Sequence, residues 1–213
     1  NYGVACDGND EDSCADGHYI CDPASGGLVC NDDSEANTDV PDQYFFDENC
    51  DGIDGDASRA VFVSVVGSDL NSCTMSEPCQ TIQYAINYAK LNGRDHVYIQ
   101  AGAYPETVVL TSEISLYGGY DDDWKRNYQE ILGHKVEITG GQNDDGEYAT
   151  ISAFDVQSAA IYDLDIFGPI VTENDSTGRG KTSYAVYSYN SSVKLERVTF
   201  HQGDGADGMD GNE

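Results

Sequence analysis

Basic residues are scarce in this sequence. Its 213 residues include 10 Lys and Arg against 39 Asp and Glu, which gives a formal net charge of −29. Proteins that bind nucleic acids neutralise phosphates with clustered Lys and Arg, and anionic membranes attract the same side chains. The composition therefore argues strongly against binding of duplex or single-stranded nucleic acid, and it disfavours an anionic membrane surface.

Long apolar runs are also absent. No stretch approaches the roughly 18 apolar residues that a membrane-spanning helix needs, so we expect no transmembrane segment. The first residues, Asn1 to Val4, have neither the basic nor the apolar region of a signal peptide, so a secreted protein would be numbered here from a processed or truncated start. The apolar fraction of 39% nevertheless allows a buried core.

All the basic residues follow position 58. Residues 1–58 carry 16 acidic residues and no Lys or Arg, whereas residues 59–213 carry 23 acidic residues and all 10 basic ones. A segment with so much unopposed negative charge and few aliphatic residues does not collapse unaided. We therefore expect a domain at 1–58 that depends on disulfides, bound cations or both, a second domain at 59–202, and a Gly/Asp-rich loop or truncated end at 203–213.

The sequence contains seven cysteines but no paired C-x-x-C motifs, and its four histidines are scattered. This pattern favours disulfides formed outside the cytosol over a zinc site, which is the competing interpretation. We predict a bridge between Cys73 and Cys79, which flank Pro78. The pairing of the other five cysteines stays open: Cys6, Cys14, Cys21, Cys30 and Cys50. Because the total number of cysteines is odd, one thiol stays free or is bound to another chain.

A short acidic motif, C-D-G-x-D-x-D, begins at Cys6 and again at Cys50. Closely spaced carboxylates in an irregular loop converge on a hard cation, and glycine allows the tight backbone that this requires. Residues 47–52 also fit the first half of a calcium loop, D-x-[DN]-x-[DN]-G, although its twelfth position is Ser58 instead of Glu. We therefore predict calcium binding, with a solvated acidic linker as the alternative; the candidate ligands are Asp47, Asn49, Asp51, Asp54, Asp56, Asp7, Asp10 and Asp12.

Residues 4–56 resemble the cysteine- and aspartate-rich metal-binding repeats of large secreted surface proteins of Gram-negative bacteria, whose core reads C-D-G-x-D-x-D-C-D-G. The segment from Cys14 to Cys30 is similar to the linking hairpin of those repeats. The second cysteine of the core is displaced to Cys14 in the first copy and absent from the second. The resemblance implies a metal-binding module at the bacterial cell surface.

From residue 59 onward the pattern changes to one helix and many short strands. Apolar residues recur at helical spacing near 81–91, and Gly93 follows as a stop: Ile82, Ala85, Ile86 and Ala89. Segments of strand length, separated by turn residues, are 60–64, 97–101, 107–110, 114–117, 136–139, 149–154, 160–167, 185–189 and 193–200. No second helix separates them, which argues against a βαβ layout, and although a sandwich also fits, the order favours a solenoid.

Residues 60–127 resemble the pectin-lyase-like superfamily. Residues 61–64 and 78–86 are similar to its opening strand and capping helix, and residues 97–106 and 114–124 to its first rungs. The resemblance implies an all-β fold: a right-handed parallel β-helix with an N-terminal capping helix, preceded here by a small disulfide-rich, loop-rich metal-binding module. Activity does not follow from such a fold.

Catalytic residues are not evident. Polysaccharide lyases of that superfamily combine acids around calcium with a basic residue, and residues 121–126, DDDWKR, are the nearest equivalent, but a solvated turn explains them better. Paired carboxylates of a glycoside hydrolase could be Asp163 and Asp165, or Asp144 and Asp145. Tyrosines could line a face that stacks sugars or packs a neighbouring chain, although strand packing explains them as well: Tyr117, Tyr120, Tyr128, Tyr184, Tyr187 and Tyr189.

The sequence therefore predicts a secreted, calcium-stabilised structural or adhesive protein of a bacterial surface. Its expected partners are further copies of itself or other surface proteins, with polysaccharide as an option. The Gly/Asp-rich run at 203–211 offers no C-terminal cap, so we expect a fragment of a longer protein or a subunit that stacks on a neighbour, as in a filament. The alternative is a carbohydrate-active β-helix, either a polysaccharide lyase or a glycan-binding module.

Overall fold

The computed structural model describes residues 2–9, 14–32, 39–126, 134–144 and 146–209. The chain divides into two compact units, Asn1–Ser58 (unit 1) and Arg59–Glu213 (unit 2). The division falls at the change in charge, because Arg59 is the first basic residue of the chain.

Unit 1 contains a three-stranded antiparallel sheet. Its strands are β1 (Ala5–Cys6), β2 (Gly17–Cys21) and β3 (Leu28–Cys30), in the order β1-β2-β3. The Asp22 carboxylate closes the turn between β2 and β3 by accepting the N–H groups of Ala24 and Ser25, each at 2.9 Å. This turn brings β3 back antiparallel to β2.

Two disulfides hold unit 1 together. Cys6–Cys30 links positions 24 apart, and Cys14–Cys50 links positions 36 apart. The buried apolar side chains in the described part of this unit are those of Cys6, Pro41 and Ile53. Apolar burial therefore contributes little here, and the cross-links, which restrict the unfolded chain, carry much of the stability.

The described part of unit 2 contains one helix, α1 (Ile82–Asn92). Thr81 is its N-cap, and Gly93 ends it in the left-handed conformation with φ of 65°. The Glu106 carboxylate accepts the free N–H groups of Ile82 and Gln83 at 2.8 and 2.9 Å. The helix lies where the 3.6-residue periodicity predicted it, and a carboxylate 23 positions away completes its N-terminus.

The described residues of unit 2 also form thirteen strands. They are β4 (Ala60–Val63), β5 (His96–Gln100), β6 (Gly102–Tyr104), β7 (Val108–Val109), β8 (Ser115–Tyr120), β9 (Val136–Thr139), β10 (Gly141–Gln142), β11 (Tyr148–Phe154), β12 (Ala159–Tyr162), β13 (Asp165–Phe167), β14 (Ser183–Tyr189), β15 (Val193–Glu196) and β16 (Thr199–His201). A five-stranded parallel sheet has the order β15-β12-β8-β5-β4, and a four-stranded parallel sheet has the order β16-β13-β9-β6. In a third, mixed sheet, β11 pairs in parallel with β14 and β7 and antiparallel with β10.

This architecture shows that the predicted fold class was wrong. Instead of a single right-handed parallel β-helix, the described residues form sixteen strands in four sheets, with one helix and both parallel and antiparallel pairing. None of these sheets closes or winds into a solenoid, so the protein is a multi-sheet, α/β-like structure. The physical reason is that strand length and turn residues indicate where strands occur, whereas each strand's partner and direction depend on hydrogen bonds to distant segments.

Two segments predicted as single strands are each broken in two. Residues 160–167 form β12 and β13, and residues 193–200 form β15 and β16. At the breaks Asp163 and Arg197 have φ of 57° and 52°, which an extended strand does not allow. Their side chains form an ion pair, with Arg197 Nε 2.7 Å from Asp163 Oδ1. Alternating hydrophobicity does not reveal these bends, because the pair joins residues 34 positions apart.

The core of unit 2 is built from apolar side chains at aligned positions in neighbouring strands. Val97, Leu116 and Ile161 are register partners across β5, β8 and β12, and all three are fully buried. Ile138 and Ile166 are partners in the same way across β9 and β13. In-register parallel pairing keeps these side chains on one face of each sheet, and α1 adds its buried stripe to the same core.

We expect Ile161→Ala to lower the free energy of unfolding by about 2–5 kcal/mol, because it leaves a cavity in this core. Ile170→Ala is the matched control: Ile170 is 76% exposed, so its truncation should change stability by less than about 0.5 kcal/mol. Urea titration of both variants measures the difference. Equal losses would contradict the assignment of Ile161 to the core.

Candidate metal centre

The predicted calcium motif forms a tight loop whose carboxylates bind its own backbone. Asp47 Oδ2 accepts the N–H of Gly52 at 2.9 Å, and Asn49 Oδ1 accepts the N–H of Asp51 at 3.0 Å. Asp51 Oδ2 accepts the N–H of Ala57 at 2.8 Å. These bonds orient three of the predicted ligands around one turn, so local contacts contribute to the order of the loop.

Left-handed backbone conformations shape this loop. Gly52 and Gly55 have φ of 101° and 114°, which side chains rarely adopt, and Cys50 has φ of 55°. Cys50 is also bonded to Cys14. A covalent bond to a distant segment therefore fixes the loop at its centre, between Asn49 and Asp51.

Asp39 and Asp54 are buried carboxylates in unit 1, with exposed fractions of 1% and 4%. Asp39 Oδ2 accepts the N–H of Glu48 at 3.2 Å, whereas Asp39 Oδ1 has no hydrogen-bond partner. Burial, together with the nearby negative charges of Glu48 and Asp54, raises the pKa of Asp39 to about 7. A carboxylate oxygen in this position gains from a proton or from a metal cation.

Asp47 offers a second such atom. Its Oδ1 is buried and has no hydrogen-bond partner, although its Oδ2 is bound to the backbone. Burial also raises the pKa of the neighbouring Asp51. Buried carboxylate oxygens with unused acceptor capacity are the ligands that calcium prefers.

The structure brings together only some of the predicted ligands. Asp47, Asn49 and Asp51 share the loop; Asp54 turns inward, and its Oδ1 accepts the N–H of Asp42 at 3.4 Å. Asp56 Oδ1 instead accepts the N–H of Ser58 at 2.7 Å. Asp7 is exposed in unit 1, and Asp10 and Asp12 lie outside the described residues.

Within the described ranges, no three His, Cys, Asp or Glu side chains are grouped so that they could hold a metal ion as they stand. Sequence reasoning also missed Asp39. It belongs to no spacing motif, and its burial, which it shares with Asp54 among the described acidic residues of unit 1, identifies it only in the structure. A cation site here would therefore have to draw Asp39 and Asp47 together with backbone or amide oxygens.

The cysteines are oxidised except for one. Cys73 pairs with Cys79, Cys6 with Cys30 and Cys14 with Cys50. Cys21 is an exposed thiol. Six of the seven cysteines are thereby engaged in disulfides, which removes them as zinc ligands.

The residues considered for polysaccharide chemistry are engaged in structural contacts. In the turn at 121–126, Asp121 Oδ1 accepts the N–H groups of Asp123 and Lys125, and Trp124 is buried. Arg126 is also buried and contacts Asp163. The turn therefore presents no exposed aromatic platform, although Lys125 is exposed beside Asp122 and Asp123.

The pair Asp163 and Asp165 is buried as well, with exposed fractions of 7% and 2%. Asp163 lies between two arginines, and Asp165 lies 3.4 Å from Lys135 Nζ and 3.5 Å from His201 Nε2. Neither carboxyl faces a surface that a polysaccharide could reach. Asp144 is described, but Asp145 lies outside the described residues.

Most of the tyrosines considered for stacking on sugars are buried or packed against other rings. Tyr117 and Tyr120 are buried, and the Tyr117 ring stacks on Tyr162 with centroids 4.8 Å apart. The ring centroids of Tyr184 and Tyr187 lie 5.1 Å apart. Tyr189 is 65% exposed, and Tyr128 lies outside the described residues. Packing between strands thus accounts for most of the described members of this set.

Comparison with known proteins found no match among family models, curated proteins or solved structures. The identification of a pectin-lyase-like β-helix preceded by bacterial metal-binding repeats was therefore wrong: no family model matches, and the mixed sheets of the structure contradict the β-helix. Of the helices that the structure describes, none is long and apolar enough to cross a membrane.

In the presence of a chelator, we expect the wild type to lose stability relative to Asp39→Asn as the pH rises from about 4 to about 7. The folded state holds the Asp39 proton up to a pKa of about 7, whereas the ordinary value is 3.8. Between these values the folded state binds more protons than the unfolded state, so stability falls as pH rises. Asparagine does not ionise, so the free energy of unfolding of Asp39→Asn lacks this contribution to the pH dependence.

Urea unfolding across this pH range measures the difference. Asp22→Asn is the matched control, because Asp22 is an exposed aspartate of the same unit whose turn hydrogen bonds lower its pKa. The difference in the free energy of unfolding between Asp22→Asn and the wild type should not shift in favour of the variant as the pH rises, as it does for Asp39→Asn. Identical pH profiles for the wild type and Asp39→Asn would show that Asp39 is ionised in the fold at the same pH as in the unfolded chain.

Proposed function

We propose that this protein has a structural or adhesive function outside the cell, and that calcium stabilises its acidic unit. The observation that carries the proposal is the buried Oδ1 of Asp39, which has no hydrogen-bond partner in a unit whose 58 residues include no Lys or Arg. No side chain within unit 1 can supply a permanent positive charge. A proton or a metal cation has to do so.

Calcium suits this unit better than the other common cations. It takes six to eight oxygen ligands in flexible geometry, and these include carboxylates, amide oxygens, backbone carbonyls and water. The loop at 47–52 supplies Asp47 and Asn49, and Asp39 adds a buried carboxylate. Zinc sites usually combine several histidine or thiolate ligands, and unit 1 contains one histidine, His18, and one thiol outside the disulfides, Cys21.

The disulfides support a location outside the cytosol. Three disulfides in one chain of this length are characteristic of oxidising compartments. Two of them lie in the unit that has almost no apolar core. A reducing environment would remove the cross-links on which that unit depends.

The engagement of charged groups in unit 2 supports a structural function. Asp163 is held by Arg126 and Arg197, and Asp95 by Arg59. Asp163 and Arg126 neutralise each other inside the fold, whereas Arg59 and Asp95 are half-buried and line a pocket at the surface. Such pairing stabilises a surface of fixed shape, as an adhesive or scaffolding protein requires.

We expect calcium to stabilise unit 1 by mass action, by about 2.7 kcal/mol at a hundredfold excess over its dissociation constant. Differential scanning calorimetry in calcium and in chelator measures this shift. Asp39→Asn and Asp47→Asn should each reduce it, whereas the control Asp22→Asn should retain it. The same thermal transition with and without chelator would refute calcium stabilisation.

Asp39→Asn has opposite expected effects in the two conditions. In chelator above neutral pH it removes a buried charge and should stabilise unit 1; in calcium it removes a ligand and should destabilise it relative to the wild type. This reversal separates loss of a ligand from general damage to the fold, which would destabilise the unit in both conditions.

A further inference from the structure

Unit 2 has a cavity at the C-terminal end of α1 in which basic residues outnumber acidic ones. Its volume is about 510 Å³, and its lining includes Arg59, Lys90 and Arg94 together with Asp95 and Glu113. Three positive and two negative charges give the lining a net charge of +1, in a chain whose net charge is −29. Three of the ten basic residues of the sequence therefore surround one cavity.

Two of these basic side chains are not neutralised by an acid. Arg59 Nε donates to Asp95 Oδ1 at 3.1 Å, so these two charges pair with each other. Within the ranges that the structure describes, neither Lys90 nor Arg94 forms an ion pair. Arg94 is nevertheless half-buried. Its guanidinium has five N–H donors and no acceptor, so it matches an anion that is rich in acceptor atoms.

The end of α1 accounts for Lys90 but not for the Arg94 side chain. Lys90 lies in the last turn of the helix, where a positive charge is favourable. Arg94 follows the helix, and its backbone N–H donates to the carbonyl of Ala89 at 2.9 Å. The backbone of Arg94 thereby completes the helix end. Its guanidinium takes no part in this contact.

A second cavity continues along the same side of α1. It has a volume of about 400 Å³ and shares Thr111 with the first cavity. Gln83, Asn87 and Lys90 are spaced by four and three positions, which places them on one side of the helix. Asp144 is the charged residue of this second lining. Carboxamides and hydroxyls form most of the remainder: Gln83, Asn87, Thr107, Thr111, Gln142 and Asn143.

The two cavities form one groove, which we call the α1 groove, with a cationic end and an uncharged polar end. The N–H donors of Arg and Lys match a carboxylate or a phosphate. Carboxamides and hydroxyls both donate and accept hydrogen bonds, so they match the hydroxyl groups of a sugar. Cavities of this size hold small molecules. The negative charge of the chain repels polyanions, which favours a ligand with a single anionic group.

We propose that the α1 groove binds a sugar that carries one carboxylate or phosphate group. Arg94 and Lys90 hold the anionic group, and Asn87 and Thr111 form hydrogen bonds with the sugar hydroxyls. Every residue that lines the groove belongs to unit 2. The proposal is therefore independent of calcium binding by unit 1.

Isothermal titration calorimetry of the full chain in chelator tests the ligand class with glucuronate, glucose 6-phosphate, glucose and acetate. We expect one or both charged sugars to bind at least about tenfold more tightly than glucose or acetate. Glucose leaves the donors of Arg94 unpaired, and acetate does not reach the carboxamides. The tighter of the two charged sugars identifies the anionic group. Glucose or acetate binding as tightly as the charged sugars would overturn the proposal, as would a lack of binding of either charged sugar at about 10 mM.

Replacement of Arg94 tests the cationic end. Arg94→Gln removes the charge and should weaken binding of the charged sugar about tenfold or more, because hydrogen bonds to charged groups are the stronger ones. Arg179→Gln is the matched control, since Arg179 is an exposed arginine of the same unit that lines neither cavity. It should bind the sugar as the wild type does. Equal affinities of Arg94→Gln and the wild type, or equal losses in both variants, would refute a site at Arg94.

Replacement of Asn87 tests the uncharged end. Asn87→Ala should weaken binding of the charged sugar about threefold to tenfold, because it removes a hydrogen-bonding group. Alanine favours helix at this exposed position, so the fold should be retained, and circular dichroism checks this. A folded Asn87→Ala variant with wild-type affinity for the charged sugar would overturn the assignment of the sugar hydroxyls to this end of the groove.

Discussion

The absence of any basic side chain from residues 1–58 constrains the rest of the structure of unit 1. Sixteen acidic residues occupy this segment, and of those that the structure describes, Asp39 and Asp54 are buried. Local turns absorb part of the negative charge, because Asp47, Asn49 and Asp51 accept backbone N–H groups. Disulfides supply the cohesion that a small apolar core cannot. What remains is a requirement for positive charge, which a proton meets at low pH and which we propose calcium meets near neutrality.

In unit 2, basic side chains of the unit itself neutralise part of the negative charge. Arg126 is buried in the fold, and both Arg126 and Arg197 pair with Asp163. Carboxylates of unit 2 also complete secondary structure, since Glu106 accepts the free amides at the start of α1. Aligned apolar side chains then provide a core that unit 1 lacks. The two units therefore draw their stability from different sources, namely disulfides in unit 1 and an apolar core in unit 2.

The calcium proposal concerns a buried group for which the side chains of unit 1 provide no permanent positive charge, the carboxylate of Asp39. A cation would satisfy this group. An oxidising exterior, where disulfides persist and calcium is available to oxygen ligands, is compatible with the proposal.

The sequence by itself determined the features that depend on neighbouring residues. Helix α1 follows from its apolar spacing and its terminal Gly93, most strands follow from short apolar runs, and the change of charge at Arg59 coincides with the division between units. The tertiary structure alone decided which strands pair, so the predicted β-helix was wrong and four sheets with mixed pairing were found. It also decided that Asp163 bends the chain between two arginines and that Asp39 is buried. The physical reason is that pairing, ion pairs and burial join residues far apart in the chain, whereas periodicity and turn composition act over a few residues.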